Sequence, residues 1–161
     1  MKTLHLLRHA KSDWSGEGVA DHDRPLNRRG KQARRVIADH VKDWKVDLVV
    51  CSTAQRARAT AKPVVAALGC PVRYDDALYE ATPGTLLTVV RALPDADNWV
   101  MLVGHNPTME EFTELLCAKS PEYPTAALGT ITLAVDNWND VAPGCGTLAG
   151  FVTPASLQDL P

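Results

Sequence analysis

The sequence predicts an α/β fold, a three-layer sandwich in which helices flank a mostly parallel central sheet. Short apolar runs of strand length alternate with segments whose apolar residues recur at helical spacing, which is typical of layered α/β domains. The chain has 161 residues, the size of one ordinary domain. We therefore expect residues 1–161 to form a single domain.

The first strand is predicted at residues 4–7, and the first helix is predicted to begin after Asn27. Asparagine is a common helix cap, and apolar side chains recur every three or four positions from there to Trp44. This periodicity predicts an amphipathic helix packed on the sheet.

The second strand is predicted at residues 48–51, with a helix directly after it. Ser52 and Gln55 form a capping-box pattern that places the start of this helix at Ser52. Gly69 is a typical stop signal, whereas Pro63 predicts a kink or a break within the helix.

The second half of the chain repeats this strand-helix pattern. A capping residue precedes proline at Thr82-Pro83 and at Asn106-Pro107, and each pair predicts a helix start. The predicted elements are strand 72–74, helix 82–93, strand 99–103, helix 108–116 and strands 130–135 and 147–152. The last two strands are expected to form an antiparallel hairpin.

Composition argues against several classes of function. With 17 basic and 19 acidic residues and a net charge of -2, the chain lacks the basic field of a nucleic-acid-binding protein. His5 and Arg8 interrupt the first apolar run, which is too short for a signal peptide or a membrane span. The four cysteines have no metal-ligand spacing and are expected to be free thiols in a cytoplasmic protein.

Three predicted strands end in side chains suited to phosphate. Arg8-His9 follows the first strand, Arg56 comes shortly after the second, and His105 follows strand 99–103. Parallel strands bring their carboxyl ends to one sheet edge, where guanidinium groups can bind phosphate oxygens and a neutral imidazole can attack phosphorus. One histidine at a strand end is commonly only a hydrogen-bonded polar residue. Three such ends together favour an anion site, because clustered cations repel one another when no anion is bound.

Five short motifs carry a family resemblance. They are residues 7–12 (LRHAKS), 23–30 (DRPLNRRG), 52–60 (STAQRARAT), 78–81 (LYEA) and 103–107 (VGHNP). With these motifs in this order, the chain resembles the SixA-like branch of the histidine phosphatase superfamily, which has a phosphoglycerate-mutase-like fold. Ala10 stands where the commonest family pattern has glycine, and its small side chain preserves the close approach that the turn requires.

The resemblance implies a role for each matching residue. His9 would be the nucleophile that becomes phosphohistidine, and Arg8, Arg56 and His105 would complete the phosphate pocket. Arg56, which precedes an alanine, matches the family arginine, so Arg58 is interpreted as a solvated helix residue.

Arg24 and Glu80 are further candidates, each with an alternative. Arg24 precedes Pro25, which favours an extended backbone that would let the Arg24 side chain reach the phosphate. The alternative for Arg24 is a surface ion pair with Asp21 or Asp23, and an ion pair and a contact with phosphate can hold together.

Glu80 resembles the proton donor of mutase and acid phosphatase relatives, and its alternative role is to pair with a pocket arginine. Imidazole leaves phosphorus easily, so a general acid matters less for a phosphohistidine substrate.

The chain between Glu80 and His105 has room for one helix and one strand, without the large lid insertion of bigger relatives. The open cleft that this implies favours a phosphorylated protein as the partner. Because the sequence has no Asp-rich metal site and no P-loop, we expect no metal and no nucleotide cofactor. The Asp-His-Asp sequence at 21–23 is interpreted as a polar turn rather than a divalent-ion site.

The sequence thus predicts a metal-independent phosphatase that acts through phospho-His9, with phosphohistidine on a protein as the expected substrate. A small-molecule phosphomonoesterase is the second interpretation, and strong dependence on Glu80 would distinguish it. The third is a noncatalytic phosphoprotein-binding module, which the intact nucleophile disfavours. A mutase is disfavoured because it must shield its intermediate from water.

Overall fold

The computed structural model describes residues 1–158, which form six β-strands and five α-helices. The strands are β1 (Lys2–Arg8), β2 (Leu48–Cys51), β3 (Val72–Tyr74), β4 (Trp99–Gly104), β5 (Leu128–Leu133) and β6 (Gly146–Val152). The helices are α1 (Arg28–Val41), α2 (Gln55–Leu68), α3 (Pro83–Arg91), α4 (Thr108–Cys117) and α5 (Pro154–Gln158). None of the helices in these residues has the length and apolar character of a membrane span.

All six strands belong to one sheet with the order β3-β2-β4-β1-β5-β6. The first four strands are parallel, while β5 is antiparallel to β1 and β6 is antiparallel to β5. The prediction of a mostly parallel sheet with a terminal antiparallel pair is confirmed. β5 begins two residues earlier than predicted, because Leu128 and Gly129 already pair with β1.

Helices cover both faces of the sheet, which confirms the predicted three layers. Alternate residues of a strand point to opposite faces, and two buried apolar clusters result. α1 and α2 pack on one face through residues such as Ile37 and Ala61. α3 and α4 pack on the other face through residues such as Leu86 and Phe112.

The start of α1 positions the segment that follows His9. Asn27 caps this helix as predicted, since its side chain accepts a hydrogen bond from the Gly30 amide at 2.9 Å. The Asn27 amide donates to the Lys11 carbonyl at 3.0 Å. Gly30 lies so close to Lys11 that a Cβ at this position would overlap the same carbonyl oxygen. The first turn of α1 therefore fixes the backbone directly after the candidate nucleophile.

The predicted start of α2 is wrong. The helix begins at Gln55, and Ala54 occupies the cap position without a side-chain hydrogen bond. The Ser52 hydroxyl accepts a hydrogen bond from the Ala54 amide, just before the helix, and also contacts His105. The predicted end is confirmed, since Gly69 adopts the left-handed conformation that ends α2.

Pro63 does not break α2, which runs continuously through it. Proline has no N–H, so the carbonyl of Ala59 four residues earlier loses its helical partner. Arg34 of α1 replaces that partner, because its Nη1 donates to the Ala59 oxygen at 2.7 Å. A contact between α1 and α2 thus satisfies the carbonyl that Pro63 leaves without a helical partner.

Candidate active site

The carboxyl ends of β1, β2 and β4 lie side by side and bring the predicted groups to one edge of the sheet. Arg8 is paired with Gly104 in the parallel register of β1 and β4. The amide of His9 donates to the Gly104 carbonyl, and the amide of Ser52 donates to the Val103 carbonyl, both at 2.9 Å. Backbone pairing alone therefore sets the positions from which these side chains extend.

A cleft of about 380 Å³ opens at this edge. Its walls include five residues that the sequence predicted for the phosphate site: Arg8, His9, Arg24, Arg56 and His105. His9 is only 7% exposed, so its ring is accessible only through this cleft. The imidazole rings of the two histidines lie 5.1 Å apart between centroids.

His9 is held as a neutral imidazole with a defined tautomer. Its Nδ1 lies 2.6 Å from the carbonyl oxygen of Ala10, and because a carbonyl can only accept, Nδ1 carries the proton. The lone pair of the neutral ring is therefore on Nε2. Burial, helped by the charges of nearby arginines, lowers the pKa of His9 to about 4 against the opposing effect of this hydrogen bond.

Thr60 connects the nucleophile segment to the helix that carries Arg56. Its side-chain oxygen accepts a hydrogen bond from the Ala10 amide at 2.9 Å and donates one to the Arg56 carbonyl at 2.7 Å. Thr60 is fully buried, so both hydrogen bonds are shielded from water. The sequence showed Thr60 only as part of a motif.

Ser52 contacts the second histidine of the cleft. Its Oγ lies 2.8 Å from Nε2 of His105 and accepts a hydrogen bond from the Ala54 amide at 3.2 Å. Burial lowers the pKa of His105 to about 3, and the charges of His9 and Arg56 act in the same direction. Nδ1 of His105 is buried and has no hydrogen-bond partner among residues 1–158.

Arg8 and Arg24, two of the three arginines in the cleft, each donate a hydrogen bond to a partner in the chain. Arg8 donates from Nη1 to the Tyr123 carbonyl at 2.7 Å. Arg24 donates to the Ser12 hydroxyl at 2.7 Å, and its guanidinium lies 3.4 Å from the centre of the Trp14 ring, which is 78% exposed at the cleft mouth.

Asp21 is a residue of the cleft that the sequence predicted only as an ion-pair partner of Arg24. Its carboxylate accepts hydrogen bonds from Arg24 at 3.1 Å, from Arg56 at 3.1 Å and from the Tyr79 hydroxyl at 2.6 Å. The Tyr79 hydrogen bond and the two guanidinium groups lower the pKa of Asp21 to about 2. Arg24 therefore pairs with Asp21, as one alternative predicted, although it is buried, and it also lines the cleft, while its contact with phosphate stays a prediction.

Glu80 and Arg58 lie outside this cleft. Glu80 is exposed, has a φ of 54° and lines a neighbouring cleft that also contacts Arg56 and His105. Arg58 is exposed on another face of α2. His22 lies within hydrogen-bond distance of Thr53, and residues 1–158 contain no group of three or more potential metal ligands.

Comparisons with known proteins give one family. Residues 4–90 match the model of the histidine phosphatase superfamily, branch 1. An uncharacterized protein of Mycobacterium tuberculosis is 35% identical over an alignment covering 92% of this chain and 99% of that protein.

Two solved structures are also similar along nearly their whole length, and both are of candidate SixA phosphohistidine phosphatases. The one from Nakamurella multipartitia has 31% identity and a TM-score of 0.80, covering 95% of this chain and 96% of its own. The one from Agrobacterium tumefaciens has 32% identity and a TM-score of 0.82, and the match covers 95% of this chain and 98% of that chain. These matches agree with the resemblance carried by the five sequence motifs.

Proposed function

Because the chain belongs to branch 1 of the histidine phosphatase superfamily, we propose that it is a metal-independent phosphatase acting on phosphohistidine in proteins. The observation that carries this proposal is the hydrogen bond from Nδ1 of His9 to the Ala10 carbonyl. It leaves the lone pair on Nε2, in a neutral ring beside three arginines. That arrangement suits a nucleophile that attacks phosphorus.

The arginines supply the positive charge that a transferring phosphoryl group requires. Arg8 and Arg56 each have an Nε that is buried without a hydrogen-bond partner among the described residues. Buried donors of this kind are costly unless an acceptor arrives, and phosphoryl oxygens are strong acceptors. A bound oxyanion would therefore supply hydrogen-bond acceptors for these arginine donors, which lack partners among residues 1–158.

The reaction has two steps. Nε2 of His9 attacks phosphorus, the bond from phosphorus to the substrate nitrogen breaks, and the substrate ring, already protonated on its other nitrogen, leaves as neutral imidazole. Water then attacks the phosphorus of phospho-His9 and loses a proton to solvent, the bond from phosphorus to Nε2 breaks, and His9 returns to the neutral ring with its proton on Nδ1 as inorganic phosphate leaves. Throughout, the Ala10 carbonyl accepts from Nδ1–H and so stabilises the positive charge that develops on the His9 ring.

His105 contributes a donor to the same site. If Ser52 donates its hydroxyl proton to Nε2 of His105, the neutral ring carries its proton on Nδ1, the nitrogen that is buried without a partner. A phosphoryl oxygen would supply the missing acceptor. Ser52 can make this hydrogen bond while still accepting from the Ala54 amide.

A phosphohistidine substrate is expected to depend less on Glu80 than a phosphomonoester does. An alkoxide needs a general acid to leave, whereas an imidazole with an ordinary pKa of about 6.5 does not. Glu80 is exposed and lines the adjoining cleft, which shares Asp21, Arg56 and His105 with the cleft that holds His9. We rank a small-molecule phosphomonoesterase as the second candidate function, because the similar structures with 31% and 32% identity are of candidate phosphohistidine phosphatases.

The chain offers no lid of its own between Glu80 and His105, where α3 and β4 are the only helix and strand. A phosphorylated side chain on another protein could reach such a cleft. The four free cysteines support a reducing compartment, and we place the activity in the cytoplasm.

The test compares wild type, His9→Ala and Glu80→Gln in the presence of a chelator. Substrates are a phosphohistidine-bearing protein and p-nitrophenyl phosphate. We expect wild type to hydrolyse both substrates, His9→Ala to lose all turnover, and Glu80→Gln to spare hydrolysis of the phosphoprotein. A rapid quench in base should trap phosphate bound to the enzyme itself, and this phosphate should be lost in acid. That stability would identify the phospho-His9 intermediate.

The outcomes separate the alternatives. Loss of turnover in Glu80→Gln for both substrates would favour the phosphomonoesterase. Binding of phosphate by wild type without turnover of either substrate would favour a noncatalytic phosphoprotein-binding module. Activity that requires added metal would contradict the mechanism.

A further inference from the structure

A second cluster of cations lies in a groove between α1 and α2, outside the catalytic cleft. The groove has a volume of about 540 Å³, and Lys31, Arg34, Arg58 and Lys62 line it. No acidic side chain of the described chain lines it. Lys31 and Arg34 are three residues apart on α1, and Arg58 and Lys62 are four apart on α2, so each pair lies on one helix face. The groove therefore presents two facing rows of positive charge.

These four cations have no carboxylate partner within 4.0 Å among residues 1–158. Two of them are nevertheless held in place. Arg34 donates to the Ala59 carbonyl, and the Arg58 guanidinium lies 4.5 Å from the centre of the Tyr74 ring. Four like charges in one groove repel one another, and an anion removes this cost. In a chain whose net charge is -2, so local an excess of positive charge indicates a specific anionic partner.

The groove and the catalytic cleft are built from the same two chain segments. Arg24 lines the cleft, while Pro25, directly after it, lines the groove. On α2, Arg56 lines the cleft, and Arg58 two residues later lines the groove. Because Arg58 lies on a different face of α2 from Arg56, the groove would meet a flanking segment of a protein substrate and not the phosphorylated side chain itself.

We propose that this groove, the α1–α2 basic groove, binds an acidic segment of the phosphoprotein substrate. The proposal rests on the proposed function and adds the charge of the substrate that it prefers. Two rows of cations suit a segment bearing several carboxylates better than a single small anion. Arginine can bind a carboxylate through two parallel hydrogen bonds, and lysine adds a mobile charge. Opposite charges at such a surface speed encounter and orient the bound segment.

The test uses two synthetic phosphohistidine peptides that differ only in their flanking residues, four glutamates in one and four glutamines in the other. We expect wild type to favour the glutamate peptide in kcat/KM by roughly 10-fold at low salt. The preference should fall towards unity at about 0.5 M salt, where surface charges are screened. It should also disappear in Arg58→Gln/Lys62→Gln, whereas kcat/KM for p-nitrophenyl phosphate stays unchanged.

Lys42→Gln/Lys119→Gln is the matched control, because it removes two exposed charges at positions that do not line the groove. It should keep the preference for the glutamate peptide. Equal loss of preference in both double variants would overturn the proposal, and so would equal kcat/KM values for the two peptides with wild type.

A binding measurement separates failure of this proposal from failure of the proposed function. The unphosphorylated glutamate peptide, carrying a fluorophore, should bind wild type more tightly than Arg58→Gln/Lys62→Gln in an anisotropy titration. This result does not require turnover. Equal binding of the glutamate peptide to wild type and to Arg58→Gln/Lys62→Gln would overturn the groove assignment. So would a result in which wild type binds single-stranded DNA of equal charge more tightly than it binds the glutamate peptide.

Discussion

The Asp21 carboxylate lies 3.1 Å from Nη2 of Arg56, so the arginine proposed to hold the phosphoryl group is already paired with an anion. The backbone oxygen of Asp21 accepts a second hydrogen bond from the same guanidinium at 2.8 Å. Because the pKa of Asp21 is lowered to about 2, this carboxylate is charged at every pH at which the enzyme would work. An incoming phosphoryl group therefore meets a negative charge beside its binding site.

Removal of that charge should strengthen the binding of phosphate analogues. We expect Asp21→Asn to lower the inhibition constant of orthovanadate by about 5-fold, which corresponds to about 1 kcal/mol of repulsion between unit charges a few ångströms apart in water. Inhibition of p-nitrophenyl phosphate hydrolysis measures this constant. Asp23→Asn is the control, because Asp23 is exposed and does not line the cleft. Weaker vanadate binding in Asp21→Asn would instead show that the carboxylate orients the arginines.

Ser52 should act on the reaction through His105. Ser52→Ala removes the hydroxyl 2.8 Å from Nε2 of His105, and we expect kcat to fall roughly 10-fold because a buried hydrogen bond to a donor of the site is lost. A double-mutant cycle with His105→Ala measures the coupling. Ser52→Ala should have little further effect when His105 is already absent. Equal effects in the two backgrounds would separate Ser52 from His105.

Arg56 and Arg58 form a matched pair on one helix. Arg56→Ala should lower kcat/KM for p-nitrophenyl phosphate by a factor of at least about 100, which is typical for loss of a contact to charge in the transition state. Arg58→Ala should leave this value within about twofold, because its side chain is exposed outside the cleft. Circular dichroism checks that Arg56→Ala folds, and Arg56→Lys provides a second variant that keeps the charge. Similar losses at both positions would contradict the assignment.

His9 should remain neutral well into the acid range. Since burial lowers the pKa of His9 to about 4, a titration followed by NMR should place the midpoint of its ring signals near that value. A protonated ring has no lone pair to attack phosphorus, so the nucleophile should stay competent at pH values where an ordinary histidine is already charged. A midpoint near 6.5 would contradict the burial of the His9 ring that the structure shows.

The lowered histidine pKa values should also make the fold sensitive to acid. His5, His9 and His105 have pKa values of about 4, 4 and 3. Between those values and about 6.5, the unfolded chain binds protons that the folded chain does not, so the stability is present at neutral pH and decreases as pH falls. Urea unfolding at pH 7 and at pH 5 should show a loss of at least about 2 kcal/mol. Equal free energies of unfolding at both values would contradict this expectation.

Much of the architecture could be predicted because it follows from local patterns. The bounds of β2 and β3, the Asn27 cap and the Gly69 end of α2 depend on residues that are close in sequence. The cluster of Arg8, His9 and His105 also follows, because parallel strands have their carboxyl ends at one edge.

The errors lie where a distant residue takes part in a local structure. Ser52 has the chemistry of a helix cap, but its hydroxyl is bound to His105, 53 positions away. Arg34 satisfies the Ala59 carbonyl that Pro63 leaves free. The contact from Tyr79 to Asp21 spans 58 positions, and no local signal marks it.

The hydrogen bond from the Ala10 amide to Thr60 joins residues 50 positions apart in the chain. The distance between the attacking histidine and the Arg56 helix is therefore set by a direct bond and not by the length or composition of the chain between them. Substitutions on the exposed outer side of α1 can therefore change the surface that a partner meets while this bond keeps His9 and the Arg56 helix in place. Recognition and chemistry can thus evolve separately in this protein.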